Sequence, residues 1–473
     1  MSFCERAGEW AAELRTSELP ERVAERARLQ ELSILAAGRA AEAEARAFAA
    51  VAPDGPLGEV FAGAAASIAY DWDDYLFMGH AGHSAVWTAR AFAPGDRDLA
   101  LRSQVAADEV AGRLGAALLL GPHNGQFWSS IHCASAAVAA GIGLGLDGER
   151  IAHALAIALY QPPYGLWPGF MGPRTKLLTA AEPAVQGARA AMLAAEGVDG
   201  PLDVVESERG LLRHLSFVGR PAMLGELGRV WLTDTLAFKP YPGCAYLQAA
   251  IDAILSAGVD AGEIADIEVA AGYPTVAMER LGRDAGLSAI GLNFSVARSI
   301  AAAAIAGRLT HEELAPDWLD RHGPALGELA ARVRVRHDWE LTLRTLRGMA
   351  EAGASIRDVP ARAWPRVLRR ARELGMDEVA LPVRDLAALA RDGRLRRELR
   401  DLLRLGSARG LSGLDTGRLR MTFPCRLRIR TRSGEVLEVE GDEPGASGHP
   451  LEEQRAVIAR KCAVTGIEVA APA

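Results

Sequence analysis

Lysine is almost absent from this chain. Of its 53 basic residues only Lys176, Lys239 and Lys461 are lysines; the rest are arginine. A coding bias is enough to explain the skew, yet it singles those three positions out. Arginine stays protonated in a protein, whereas a buried lysine can give up its proton, so chemistry that needs a titrating cation falls to them. Aromatic residues are scarce, at 6%, and the abundant alanine and glycine suit closely packed helices better than a β-sandwich. The five cysteines (Cys4, Cys133, Cys244, Cys425, Cys462) form no CxxC pair. That excludes a zinc ribbon and argues against a disulfide framework. The apolar stretch 134–146 is too short for a membrane span and fits a buried helix. The first 20 residues carry charge throughout and lack the apolar centre of a secretion signal. A net charge of -7 argues against a polyanion binder. A cytoplasmic, reduced protein without membrane or nucleic-acid partners is expected.

At 473 residues the chain is long for one core, and two domains are expected. Residues 1–235 have helical periodicity almost throughout. Residues 3–50 form an amphipathic helix with Trp10, Leu14, Val23, Ala27 and Leu32 inward. Residues 129–146 form an Ala/Gly-rich buried helix that stops at Gly145 and restarts after Asp147. The four prolines and three glycines of YQPPYGLWPGFMGPRTK (160–176) predict an ordered loop. From about 236 strands mix with helices: IADIEVAAG (264–272) and LAARVRVRHD (329–338) are strand-like, and PCRLRIRTRSGEVLEVEG (424–441) has the alternation of a hairpin. The fold expected is mainly α, with a helical domain over 1–235 rejoined by 447–473 and an α+β domain over 236–446. Within the latter, 341–417 is predicted as a helical insertion. Its 16 arginines are interspersed with 10 acidic residues, which suits a solvated amphipathic bundle better than a nucleic-acid surface. Leu386, Leu389, Leu395, Leu399 and Leu403 recur at helical spacing and should bury one face.

Four clusters could carry chemistry. AYDWDDYLFMGHAGH gathers Asp71, Asp73, Asp74, Tyr75, His80 and His83. Three carboxylates so close repel one another and need cations or protons. Asp73 or Asp74 is expected to cap the helix that follows; metal ligation is disfavoured for want of a recognised spacing. A second cluster, GPHNGQFWSSIHC, holds His123, Trp128, His132 and Cys133 at a helix start, a setting that suits an anionic ligand. GPRTK places Lys176 at the end of the Pro/Gly loop. FKPYPGC places Lys239 at the junction of the two domains, where ligand clefts form. Two cations across a cleft could hold a carboxylated substrate.

In this order, AYDWDDY, QFWSS…AAVAAGIGLGLDGERIAHALAIA, GPRTKLLTAAEPAVQGARAAMLAAEGVDGP, FKPYPGCAYLQAAIDA, NFSVARSIAAAAIAG and HPLEEQRAVIARKC resemble the MmgE/PrpD family. Its members include 2-methylcitrate dehydratase, cis-aconitate decarboxylase and iminodisuccinate epimerase. The resemblance covers residues 1–340 and about 420–473. It implies a helical domain, an α+β lid domain, a cleft between them, a homodimer, and no cofactor or metal. It also implies that Asp71, His80 (with His83 as rival), Lys176 and Lys239 are catalytic, and that Lys461 sits at a family lysine position.

The chain departs from the family at several positions. Trp128 and Cys244 stand where the family has histidines, Arg298 where it has a tyrosine, and Tyr75 where it has a threonine. With His83, His132 and Tyr241, these are expected substrate contacts; His132 could stand in for a lost histidine, and Arg298 would suit a phosphorylated or otherwise highly charged substrate. The activity the resemblance implies is a cofactor-independent lyase. It would abstract a proton next to a carboxylate and expel a β-leaving group from a small carboxylated substrate. Isomerisation, epimerisation or decarboxylation on the same scaffold is the alternative, and a non-catalytic binding member is another.

Overall fold

The computed structural model describes residues 1–122, 129–283, 285–375, 382–406, 409–441, 443 and 445–468. The expected helix over 3–50 is three: α1 (Phe3–Leu14), α2 (Glu21–Ala40) and α3 (Glu42–Ala49). A capping box between Ser2 and Glu5 starts α1, and Pro20 sits at the α2 N-cap, where its missing N–H goes unused. The helical part continues with α4 (Pro56–Ile68), strand β1 (Asp74–Tyr75), α5 (Gly82–Phe92), α6 (Arg97–Leu118), α7 (Ser129–Gly143), α8 (Gly148–Tyr160), α9 (Leu178–Ala195) and α10 (Leu211–Leu215). Asp96 and Asp147 cap α6 and α8 by accepting from backbone N–H groups. Helix α7 is buried from Ser129 to Ile142. Its alanines, serines and glycines are short enough for α5, α6, α8 and α9 to pack around it. The closest approach is at Gly187 of α9, where an added Cβ would stand 2.1 Å from the Cys133 carbonyl oxygen.

Strand β2 (Ala237–Phe238) opens the second part and pairs antiparallel with β1, Asp74 opposite Phe238 and Tyr75 opposite Ala237. A four-stranded sheet follows in the order β4–β3–β5–β6. It is built from β3 (Ile264–Ala271), β4 (Val333–His337), β5 (Cys425–Thr431) and β6 (Val436–Gly441). Strand β4 runs parallel to β3; β5 is antiparallel to both β3 and β6. The alternation read in 424–441 is the pleat itself. Cys425, Leu427, Ile429 and Thr431 are buried and Arg426, Arg428 and Arg430 exposed, with Arg428 opposite Glu438. The strand expected over 329–338 is shorter, because residues 329 and 330 close α15 (Pro316–Ala330). Helices α11 (Gln248–Ala257), α12 (Tyr273–Gly282) and α14 (Val296–Ala306), with α13 (Ala289–Leu292) leading into α14, join α15 in covering the sheet's apolar face.

The arginine-rich segment is helical as expected, with α16 (Trp339–Ala350), α17 (Trp364–Glu373), α18 (Val383–Arg391) and α19 (Gly393–Arg404). Leu395 and Leu402 bury against Leu343 and Ala350, with Leu389 and Leu399 half-buried beside them. Leu386 and Leu403, expected on the same face, remain exposed. The segment is fastened to the helical part. The buried Arg220 forks onto Asp358 at 2.8–3.1 Å, and Gly410, in the left-handed region, lies against the Ala222 backbone. After β6 the chain returns, and α20 (Leu451–Thr465) packs on α2. Among the described residues no helix is long and apolar enough to cross a membrane.

Gly187→Ala would force α9 off α7. The substitution is expected to destabilise the protein by about 1–3 kcal/mol, read as a lower urea midpoint; an unchanged midpoint would contradict the packing described.

Candidate active site

The site begins where α4 ends. At Asp71 the backbone enters the left-handed region, with φ 51°, a conformation costly for a residue with a Cβ. This turns the chain out of the helix and into β1. The pairing of β1 with β2 then sets Lys239 beside Asp73, whose carbonyl accepts from the Lys239 N–H at 3.3 Å. The Lys239 ammonium lies between the Asp71 carbonyl, at 2.8 Å, and the Asp73 carboxylate. Lys176 sits in the one-turn helix Arg174–Leu177 just before α9. It donates to the carbonyls of Ile68 and Ala69 at 2.9 and 3.2 Å and pairs with the Asp71 carboxylate. It therefore satisfies the terminal carbonyls of α4, where a cation is favoured, and anchors the residue at the strained turn.

Each of the three clustered carboxylates has its own remedy for repulsion. Asp71 has Lys176. Asp73 is wholly buried, which by itself pushes its pKa up. Lys239 and His80 outweigh that and hold it well below the usual carboxylate range. Among the described residues no cation is ion-paired with Asp74; burial, followed by Asp73, pushes it up. The side-chain amide of Gln30 donates to Asp74 at 2.9 Å and to Asp108 at 3.2 Å, and burial pushes Asp108 well up too. This outer pair thus tends towards protonation. Burial also lowers Lys176, against the pull of Asp71. Lys239 is raised, because Asp73 and Asp71 outweigh its desolvation.

His80 Nδ1 lies 2.9 Å from Asp73 Oδ2 and 2.9 Å from the Asp74 carbonyl. A carbonyl can only accept, so Nδ1 carries the proton, and in the neutral ring Nε2 holds the lone pair. Asp71, Tyr75, His80, Lys239 and Cys244 all line one cavity of about 150 Å³. Its other walls are chiefly apolar, including Phe77, Met78, Leu119, Trp167, Phe170, Tyr246, Met278, Phe294 and Phe423. Tyr75 Oη is 3.5 Å from the Met421 carbonyl. Burial, followed by Asp71, pushes the Cys244 thiol up to about 12, so it is a poor nucleophile here.

The other residues singled out in the sequence fall elsewhere. Lys176 does not itself line the cavity; it meets the lining at Asp71 and at the rings of Phe294 and Phe170, 5.1 and 5.8 Å from its Nζ. His83 is buried behind Asp73, its Nε2 3.1 Å from Oδ2, and His132 lies a layer further back on Ser84 at 3.0 Å. Tyr241 donates to Asp252 at 3.1 Å. Arg298 does not line the cavity: its guanidinium donates to the carbonyls of Gly286 and Arg283 at 2.7 and 3.0 Å. His123 and Trp128 lie outside the described residues. Neither Asp73 nor Asp74 caps α5, whose N-cap is Ala81 without a side-chain bond; their carboxylates go to Lys239, the histidines and Gln30 instead. Gln30, Asp108 and Asn293 were missed. Asn293 donates from its amide to the Ala69 carbonyl at 3.2 Å. Its place in NFSVARS was the one signal available, and Gln30 and Asp108 sit in ordinary helical pattern. Among the described residues no group of His, Cys, Asp and Glu could hold a metal ion.

Lys461 completes the set from α20. It is buried, donates to Ser33 Oγ at 2.9 Å and to the Trp72 carbonyl, and burial lowers it from 10.5 to about 7. Between these values the unfolded chain binds the extra proton, so Lys461 makes stability rise with pH from about 7 to about 10.5. Lys461→Met removes that dependence. The stability of wild type relative to the variant is therefore expected to increase from pH 7 to pH 10 in urea unfolding; a constant difference would refute the assignment.

Comparison with protein-family models matches residues 55–221 to the MmgE/PrpD N-terminal domain and residues 241–359 to the MmgE/PrpD C-terminal domain. The second match runs past the expected start of the insertion, so α16 belongs to the family's own domain. No curated protein matches the chain. The family includes dehydratases and related enzymes, and its two domains form a scaffold of dehydratase or lyase type. With both domains present in order around the Asp71–Lys176 and Asp73–Lys239 pairs, this chain belongs to the MmgE/PrpD family.

Proposed function

We propose that the protein is a lyase that needs no cofactor, removing a proton beside a carboxylate and expelling a leaving group from the β-carbon. The observation that carries this reading is the joint hold of Asp73 on His80 and Lys239 at one cavity. Lys239, kept charged by Asp73, binds the substrate carboxylate and stabilises the enediolate that forms from it. A preorganised cation at that point is worth more than in water, because it needs no reorganisation. His80, its Nδ1 proton fixed by Asp73 and the Asp74 carbonyl, takes the α-proton on Nε2. Asp71, ionised at rest, relays to the leaving group a proton that it draws from Lys176 through their shared contact, and after product leaves the α-proton on His80 passes to solvent while Lys176 regains one from it.

The test is turnover of a panel of 3-hydroxy carboxylic acids in heavy water. Wild type is expected to give the unsaturated acid, with deuterium entering the α-position of recovered substrate. His80→Asn should lower both by at least about 100-fold. Exchange without net product would replace elimination by isomerisation, release of CO2 would replace it by decarboxylation, and full exchange in His80→Asn would remove His80 from the mechanism.

A further inference from the structure

The cavity does not end at its catalytic floor. Phe77, Met78 and Leu119 line it and also line a second, adjoining apolar cavity of about 130 Å³. The arginine-rich helical segment closes that second cavity with Leu346, Met349 and Leu402. Its polar residues Arg220 and Ser355 are already engaged: Arg220 by Asp358 and the Ser355 carbonyl, and the Ser355 hydroxyl by the Arg357 N–H. Apolar cavities of roughly 150 Å³ accept a benzene ring.

Charge at the floor points the same way. Asp71 and Lys176 cancel, as do Asp73 and Lys239. Among the described residues lining the catalytic cavity, Lys239 is the one permanent cation and Asp71 faces it with the opposite charge. Arg298 is held away by two carbonyls. One substrate carboxylate is served there; a second or third, or a phosphate, would be desolvated against chiefly apolar walls with no further permanent cation among the described lining residues.

We infer that the substrate is a monocarboxylate with an aryl or alkyl tail, its tail lodged in the second cavity against the helical segment. The inference rests on the lyase reading for the position of the carboxylate at Lys239. Burial of each additional CH2 should then raise kcat/KM about fourfold until the second cavity is full.

The experiment measures kcat/KM for 3-hydroxy acids of increasing alkyl or phenyl-alkyl tail, beside citrate and malate. It uses wild type, Met349→Trp and Met349→Ala. Calorimetric binding of the saturated acids butanoate, octanoate and 4-phenylbutanoate is measured in parallel. Wild type is expected to prefer the tailed monocarboxylates. Met349→Trp should lower the ratio of long-tailed to short-tailed kcat/KM by at least about tenfold, and Met349→Ala should move the optimum to a longer tail. A preference for citrate or malate, or an equal effect of both variants on every acid, would overturn the inference and leave the lyase reading intact. Tail-dependent binding that Met349→Trp weakens, without turnover of any acid, would support the inference and overturn the lyase reading.

Discussion

The Lys239 ammonium, buried between the Asp71 carbonyl and the Asp73 carboxylate, is the interaction on which the rest of the site depends. A buried ammonium survives only if its lost hydration is replaced. The two-residue pairing of β1 with β2 exists where that replacement is made. It joins the helical part to the α+β part at the point where the two charges meet. The same carboxylate orients His80 and His83, so one aspartate fixes both the cation and the imidazole at the cavity. Removing either partner would leave a naked charge in an apolar setting, which makes the pair a structural commitment as well as a chemical one.

Around that pair the lysines divide their work. Lys239 faces the cavity, Lys176 ties the strained turn at Asp71 to the end of α4, and Lys461 reaches in from the returning chain to hold the Trp72 carbonyl. The cavity they support is polar at its floor and apolar above it. The helical segment after β4 is pinned by Arg220–Asp358 and forms part of the neighbouring apolar wall.

Much of this was legible in the sequence, for physical reasons. The near-absence of lysine marked three positions, and all three are buried within reach of the Asp71–Asp74 cluster. Period-2 alternation gave the β5–β6 hairpin because its arginines face water and its aliphatics the core. Helix 3–50 was over-extended because periodicity continues across short breaks. The expected helix cap failed because Lys239 and the histidines hold the Asp73 carboxylate and the Gln30 amide holds that of Asp74. Arg298 was assigned to the site by alignment with a tyrosine position, but a longer side chain on the same backbone found two carbonyls instead. The apolar lining was not legible at all: Phe77 or Phe294 beside a cavity has the same sequence pattern as a phenylalanine in the core.

The most direct test of the central interaction is a double-mutant cycle on stability with Asp73→Asn, Lys239→Met and the pair together. Each single variant is expected to cost about 3–5 kcal/mol, because it strands its partner. The double variant should cost at least about 2 kcal/mol less than the sum of the two. Additive costs would contradict the account, since they would mean that Asp73 and Lys239 do not hold one another and that the site is organised by something else.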